Sequence, residues 1–382
     1  MPPLNPSRLH AIDALRGLVI LFMLLDHVRE TFYLHLQVTD PMDITQTSPA
    51  LFISRTLAHL CAPVFVFLTG LSAFLYGERH DGRGAVSTFL FKRGLFLVLL
   101  EITLVNFAWT FQFPPGVLYL QVIWVIGLSM LALSALVWLP RPALVLLGSL
   151  LVAGHNLLDP IHFPAGTWAH IPWAVLHDRG WIEVTDGLRL RTSYPLLPWI
   201  GVIALGYAAG PWFGAGGSAT SRQRQLLVAG LGALGLFALL RLLNGYGEKP
   251  WSLGDTGVQT LMSLFNITKY PPSLLFLALT LGIGLLLLRQ FERIGEGPWL
   301  RRLATFGAAP MFFYLLHLYV LKALYLAAVA LWGLNQGSHF GFSAVWMVWL
   351  GTLVLMVALY PPVRSFAAFK ARRRDIAWLK YL

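Results

Sequence analysis

The sequence predicts an all-α, polytopic integral membrane protein with about ten transmembrane helices and both termini in the cytoplasm. Three observations carry that reading. Hydrophobic residues make up 57% of the 382 residues and charged residues only 12%, against roughly 25% charged in a soluble domain. The mean hydropathy is +0.67, and a soluble chain of this size has too little polar surface to cover that much apolar matter. Lys and Arg also gather on alternate loops. With the N-terminus inside, eighteen of the 28 fall in inner segments and five in outer ones, the bias that orients membrane helices.

A bilayer core of about 30 Å needs roughly 20 apolar residues per helix. Ten stretches supply them: 12–33, 51–77, 87–109, 117–138, 141–158, 194–213, 225–244, 272–289, 305–331 and 343–361. The first carries Asp13, Arg16, Asp26 and His27, which no cleaved signal peptide would hold in its apolar core. The fifth and eighth are the shortest. Two long outer loops follow, 159–193 and 245–271, both with Trp, His and charge, as befits segments that handle a polar partner. Pro361 reads as a stop for the last helix, and 362–382 as a basic cytoplasmic tail. The whole of 1–382 reads as one transmembrane domain.

These features exclude a soluble globular enzyme, a disordered chain and a disulfide scaffold, since Cys61 is the one cysteine. A net charge of +11 fits topology and attraction to membrane lipid better than nucleic acid, for which no motif is present. P-loop, dinucleotide, nucleophile-elbow and HExxH patterns are absent. The spacing of His, Cys and acids suggests no metal site.

Ionisable groups inside a bilayer are costly and are functional candidates by default. Arg16 and His27 are eleven residues apart, three helical turns, and share a face with Asp13 and Glu30. Asp26 points elsewhere, toward Arg29. Arg55 and His59 lie one turn apart near the outer end of the second stretch. Glu101 lies deep in FLVLLEITLVNF and needs a partner or a proton; Arg55, His27 and His317 are the candidates. His317 is mid-span, with Tyr314 one turn earlier. His59 and His155, near outer ends, read as structural. Tyr194 precedes Pro195 at a helix start. The segment FNITKYPP (265–272) brings Asn266, Thr268, Lys269 and Tyr270 to another helix start, where donors suit a polar or anionic ligand.

The blocks RLHAIDALRGLVILFMLLDHVRETF (8–32), CAPVFVFLTG (61–70), YPLLPWIGVIALGY (194–207), FNITKYPPSLLF (265–276) and FFYLLHLY (312–319) together resemble the heparan-alpha-glucosaminide N-acetyltransferase family. The pairing of Arg16 with a histidine three turns later also resembles the wider transmembrane acyltransferase superfamily that O-acylates surface sugars. The resemblance implies acetyl transfer from cytoplasmic acetyl-CoA, as donor substrate with no tightly bound cofactor, to the amine or hydroxyl of an outer sugar or glycan. The style of the chain reads as bacterial, with the inner membrane as the consequent location, and the resemblance makes a homodimer plausible. The eukaryotic founders hold their active-site histidine in an H-x-x-W-x-G context after the first helix. Residues 34–50 hold His35 without that context, which brings His27 forward as the catalytic histidine.

On this expectation His27, Glu101 and His317 are catalytic. Arg16, Lys92 and Arg93 meet the phosphates of CoA. His27 acts as a neutral base or as a nucleophile, with Glu101 or Asp26 stabilising its charged form. Tyr194, Asn266, Arg55 and Lys269 bind or position substrate. The alternative class is a transporter or flippase for a polar or lipid-linked substrate, which would not consume acetyl-CoA; the inverted repeats and paired broken helices typical of transporters are not found.

Overall fold

The computed structural model describes residues 6–80, 82–373, 375–376 and 378–379, with side chains from residue 10 onward. The helices in chain order are α1 (Pro6–Phe32), α2 (Pro49–Ala58), α3 (Cys61–Gly77), α4 (Gly82–Leu100), α5 (Asn106–Thr110), α6 (Val122–Leu136), α7 (Arg141–Gly154), α8 (His170–Leu176), α9 (Leu197–Ala209), α10 (Ala219–Leu243), α11 (Gly257–Phe265), α12 (Leu274–Ile294), α13 (Pro298–Ala308), α14 (Pro310–Trp332) and α15 (Val345–Arg372). The strands are β1 (Val117–Leu120), β2 (Gly180–Thr185) and β3 (Leu188–Thr192).

Among the described residues, six segments are long and apolar enough to cross a membrane: Pro49–Gly77, which joins α2 and α3, Arg141–Leu158, Ala219–Leu243, Leu274–Ile294, Pro310–Trp332 and Val345–Arg372. They correspond to six of the ten predicted stretches. The 15-residue α6 and the segment Leu197–Phe213 are apolar but shorter. The 27-residue α1 is long enough, but it carries Asp13, Arg16, Asp26, Arg29 and Glu30. A polytopic membrane protein is the architecture this composition fits.

The fold is mostly helical rather than all-α. Residues 117–120, expected to start a helix, form β1. It pairs parallel with β3, which pairs antiparallel with β2, giving the order β1-β3-β2. Val117 lies opposite Arg189 and Leu120 opposite Thr192. A short apolar run does not distinguish strand from helix, and here the pairing partners in the 159–193 loop decide.

Two further boundaries differ. The stretch 305–331 breaks at Ala309, whose backbone (φ −132°, ψ 57°) is not helical. Pro310 opens α14, where its missing N–H is harmless, and disfavours helical geometry at the residue before it. At the other boundary, α15 runs through Pro361 and Pro362 to Arg372. The prolines remove two backbone hydrogen bonds, but aromatic packing holds the helix on both sides. Tyr360 lies against Phe306, and Phe366 stacks on Phe312 with centroids 4.0 Å apart. The first part of the predicted tail is therefore helix; residues 374, 377 and 380–382 of that tail lie outside the described residues.

The chain divides into two compact units. The first comprises residues 62–250 and 267–289, and the second 6–61, 251–266 and 290–382. In the second unit α1 is central and touches α2, α13, α14 and α15. Ala14, Leu15, Val19, Ile20, Leu24 and Leu25 are all buried, as expected of a helix with neighbours on every side. Close approach needs glycine: a Cβ on Gly17 would overlap the Leu303 carbonyl oxygen, and one on Gly307 that of Asp13. Small residues let helix backbones meet in this way in membranes. In the first unit α4 packs on α6 and α7 on α9.

Candidate active site

The second unit brings two buried side chains from distant parts of the sequence together. His27 Nδ1 lies 2.7 Å from His317 Nε2, within hydrogen-bond distance. The rings are nearly parallel, 12° apart, with centroids 5.0 Å apart. His317 is fully buried on α14, and its Nδ1 lies 2.7 Å from the Phe313 carbonyl one turn back. Tyr314 meets both rings edge-on, at 6.0 Å from His27 and 5.6 Å from His317.

The carbonyl fixes the proton positions. It can only accept, so His317 Nδ1 donates to it. In the neutral ring His317 Nε2 is then the acceptor, and His27 Nδ1 must donate to it. This leaves Nε2 as the basic nitrogen of His27. The relay Phe313 C=O, His317, His27 is thus directional without any carboxylate in the chain of bonds.

Beside it, on the preceding residue of α1, is an ion-pair network. Asp26 Oδ1 accepts from Arg29 Nε at 3.0 Å and Nη2 at 2.9 Å, and Asp26 Oδ2 accepts from Arg55 Nη1 at 2.6 Å. Glu30 Oε1 is 3.2 Å from Arg29 and 4.0 Å from Arg55. Two arginines and two carboxylates balance, which makes burial tolerable. The expected Asp26–Arg29 pair is present, and Arg55 joins it from α2. Arg16 bonds Asp13 at 2.9 Å, both side chains partly exposed, in the first half of α1. Asn266 clamps a loop: it accepts from Met42 N–H at 2.9 Å and donates to the Met42 carbonyl at 2.6 Å.

The remaining sequence-predicted residues belong to the first unit. Glu101 is fully buried and bonds backbone amides, where the sequence suggested Arg55, His27 or His317. Its Oε2 accepts from the Trp124 N–H at 3.0 Å, and the Gln121 and Ile123 amides also face the carboxylate. These are the first-turn donors of α6, so Glu101 caps that helix from outside. A π-helical turn over Glu101–Val105 presents it, a local widening that accompanies special side-chain placement. Asn106, at the end of that turn, holds β1 through the Val117 carbonyl and the Tyr119 N–H. Lys92 is exposed on α4, and Arg93 is half-buried with its guanidinium 5.9 Å from the Phe89 ring.

Tyr194 and Lys269 do come together. The Tyr194 and Tyr270 hydroxyls are 3.2 Å apart, and the Tyr270 ring carries Lys269 at 5.1 Å and Arg179 at 4.9 Å from its centroid. The donors at the start of α12, expected to suit an external anion, face a carboxylate of the chain itself. Glu248 accepts from Thr268 N–H, Thr268 Oγ1 and Ser273 Oγ, each at 2.6 Å. Sequence reasoning missed Glu248, because nothing local ties an acid in the 245–271 loop to a helix start twenty residues later.

Comparison with known families gives one finding. The family model described as heparan-alpha-glucosaminide N-acetyltransferase, catalytic, matches residues 8–241. No curated protein matches the chain.

Proposed function

Since the chain belongs to the heparan-alpha-glucosaminide N-acetyltransferase catalytic family, we propose that it transfers acetyl from cytoplasmic acetyl-CoA to an amine or hydroxyl of a sugar across the membrane, with His27 as general base. The family supports a membrane acetyltransferase; the residues, sidedness and acceptor class are this proposal's own. The helices α1, α4, α6 and α9 complete ten spans in this reading, and the positive bias of the inner loops orients them.

The observation that carries it is the directed relay from the Phe313 carbonyl through His317 to His27. It holds His27 with Nδ1 protonated and Nε2 basic. As the acceptor nitrogen or oxygen attacks the thioester carbonyl, Nε2 takes its proton. The C–S bond then breaks, and the imidazolium returns that proton to the leaving CoA thiolate. His317 stabilises the positive ring during the reaction by accepting from Nδ1. The Asp26–Arg29–Arg55–Glu30 network locks the turn of α1 that carries His27, so the ring is held before substrate arrives.

Arg16, Lys92 and Arg93 are assigned to the CoA phosphates by their charge. The Tyr194–Tyr270 pair with Lys269 and Arg179 is assigned to acceptor recognition, because aromatic faces with nearby donors suit a sugar. Glu101 supports the first unit as a helix cap, and Asn266 supports a loop of the second.

The test is acetyl-CoA turnover by the purified full chain in nanodiscs, read as free CoA thiol against a panel of amino sugars beginning with glucosamine. Thiol release by wild type and its loss in a folded His27→Ala variant is the expected result. Full activity in that variant overturns the role of His27. No thiol release and no thermal stabilisation by acetyl-CoA in the wild type overturns acetyl transfer and favours a transporter.

A further inference from the structure

A second histidine cluster lies in the first unit, where α7 ends and the 159–193 loop begins. His155 opens a 3-10 turn over His155–Leu158, Asp159 follows it, and His177 ends α8. One ligand-type atom from each of the three lies within 4.8 Å of the others. His155 is 2% exposed, and neither of its ring nitrogens has a hydrogen-bond partner among the described residues. A buried imidazole with both nitrogens unsatisfied is costly and calls for a ligand.

We propose that His155, Asp159 and His177 bind a divalent transition-metal ion, with Zn2+ the best match. Two imidazoles and a carboxylate are ordinary zinc donors, and three protein ligands plus water complete a tetrahedron. His177 Nε2 and Asp159 Oδ1 are 3.3 Å apart, the edge of a tetrahedron with metal–ligand bonds of about 2.0–2.1 Å. His155 has to close by about 1.4 Å at most from the observed spread, which a side-chain rotation supplies.

The surroundings also fit. His177 Nε2 now faces the His155 carbonyl at 3.0 Å. Binding moves the ring proton to Nδ1, where Asp178 Oδ1 lies 3.5 Å away, the carboxylate–histidine arrangement that orients metal-bound imidazoles. Asp159 Oδ2 is held by Asn156 Nδ2 at 3.0 Å, and the Trp173 ring stacks on His177 with centroids 5.1 Å apart. The Asp159 side chain is 47% exposed, so an entry path and a position for water exist on that side. The ion ties the end of α7 to the end of α8 and so fixes the loop that carries β2 and β3. None of its ligands takes part in the proposed acetyl transfer, so either proposal can fail alone.

The experiment uses the full chain in detergent, with any purification tag removed. The protein is stripped with EDTA, dialysed against Zn2+, desalted and assayed for bound metal. The expected result is about one zinc per chain in wild type. In Asp159→Asn the affinity falls by more than about tenfold; this side chain is exposed and nearly isosteric, so the variant folds. His155→Gln gives the same loss. With Co2+ as the probe, wild type shows the strong visible bands of a four-coordinate site and Asp159→Asn does not. Wild type that holds no zinc after desalting, equal zinc in wild type and Asp159→Asn, or a Co2+ spectrum that the substitution does not change each overturn the proposal.

Discussion

The two histidine clusters are built from the same side chain and surround it with different partners. His27 and His317 sit in apolar helices and satisfy each other and a carbonyl. Every bond of that relay runs in one direction, which suits the movement of a proton. His155 and His177 meet at the mouth of a loop. There Asp159 is 3.3 Å and Asp178 3.5 Å from His177, and the His155 nitrogens are left unsatisfied. Such a niche attracts a cation. What separates the two is the company of the ring: a neutral hydrogen-bond chain suits a base, and carboxylates with orphaned nitrogens suit a ligand set.

The sharpest way to break the comparison is to remove each ring's partner in turn. Loss of the His27 base should lower thiol release by about 10²–10⁴-fold. His317→Leu, which removes the acceptor for His27 Nδ1 and the bond to the Phe313 carbonyl but leaves the His27 base in place, should cost less and act on kcat rather than on KM for acetyl-CoA. Equal and total loss in both variants would mean that His317 itself handles the proton.

Next in size is Asp26→Ala. It strands Arg29 and Arg55, both buried, and should cost about 3–5 kcal/mol of stability, read as a fall in the thermal or denaturant midpoint. A variant as stable as wild type would show that the network is not what holds the His27 turn.

Metal removal comes third. Relative to zinc present at about a hundred times the wild-type Kd, EDTA should lower the stability of the wild type by about 2–3 kcal/mol and that of Asp159→Asn by about half as much or less. An equal shift in both would place the effect outside this cluster.

The smallest effect is expected at Glu101. Glu101→Leu removes the cap from α6 and should cost about 1–2 kcal/mol, with thiol release per folded molecule retained. Collapse of activity without loss of stability would instead restore to Glu101 the catalytic role that its place in the apolar run suggested.

Much of this was legible in the sequence because it is periodic or compositional. Apolar stretches, the charge bias and the shared face of Arg16 and His27 follow from helix geometry alone. The Asp26–Arg29 pair is also local, three residues apart on one helix. His317 was legible as a costly mid-span group, but not as the partner of His27, because the two are 290 residues apart. Glu101 was legible as a group in need of a partner, but not as a cap, because its donors are backbone N–H groups that no sequence pattern marks. The 117–120 strand was hidden for a similar reason: its partner β3 comes from a loop some seventy residues on.

By itself, then, the sequence determined the solvent and the class of this protein. Hydropathy and charge placement are sums over residues and need no fold to be evaluated. It also marked which polar groups are expensive enough to matter. Which partners those groups meet is settled by the tertiary structure alone. Whether a buried histidine is a base, a ligand or a bystander depends on which atom stands within about 3 Å of each ring nitrogen. Long-range packing sets that distance, and side chains that share no local pattern meet only once the chain has folded.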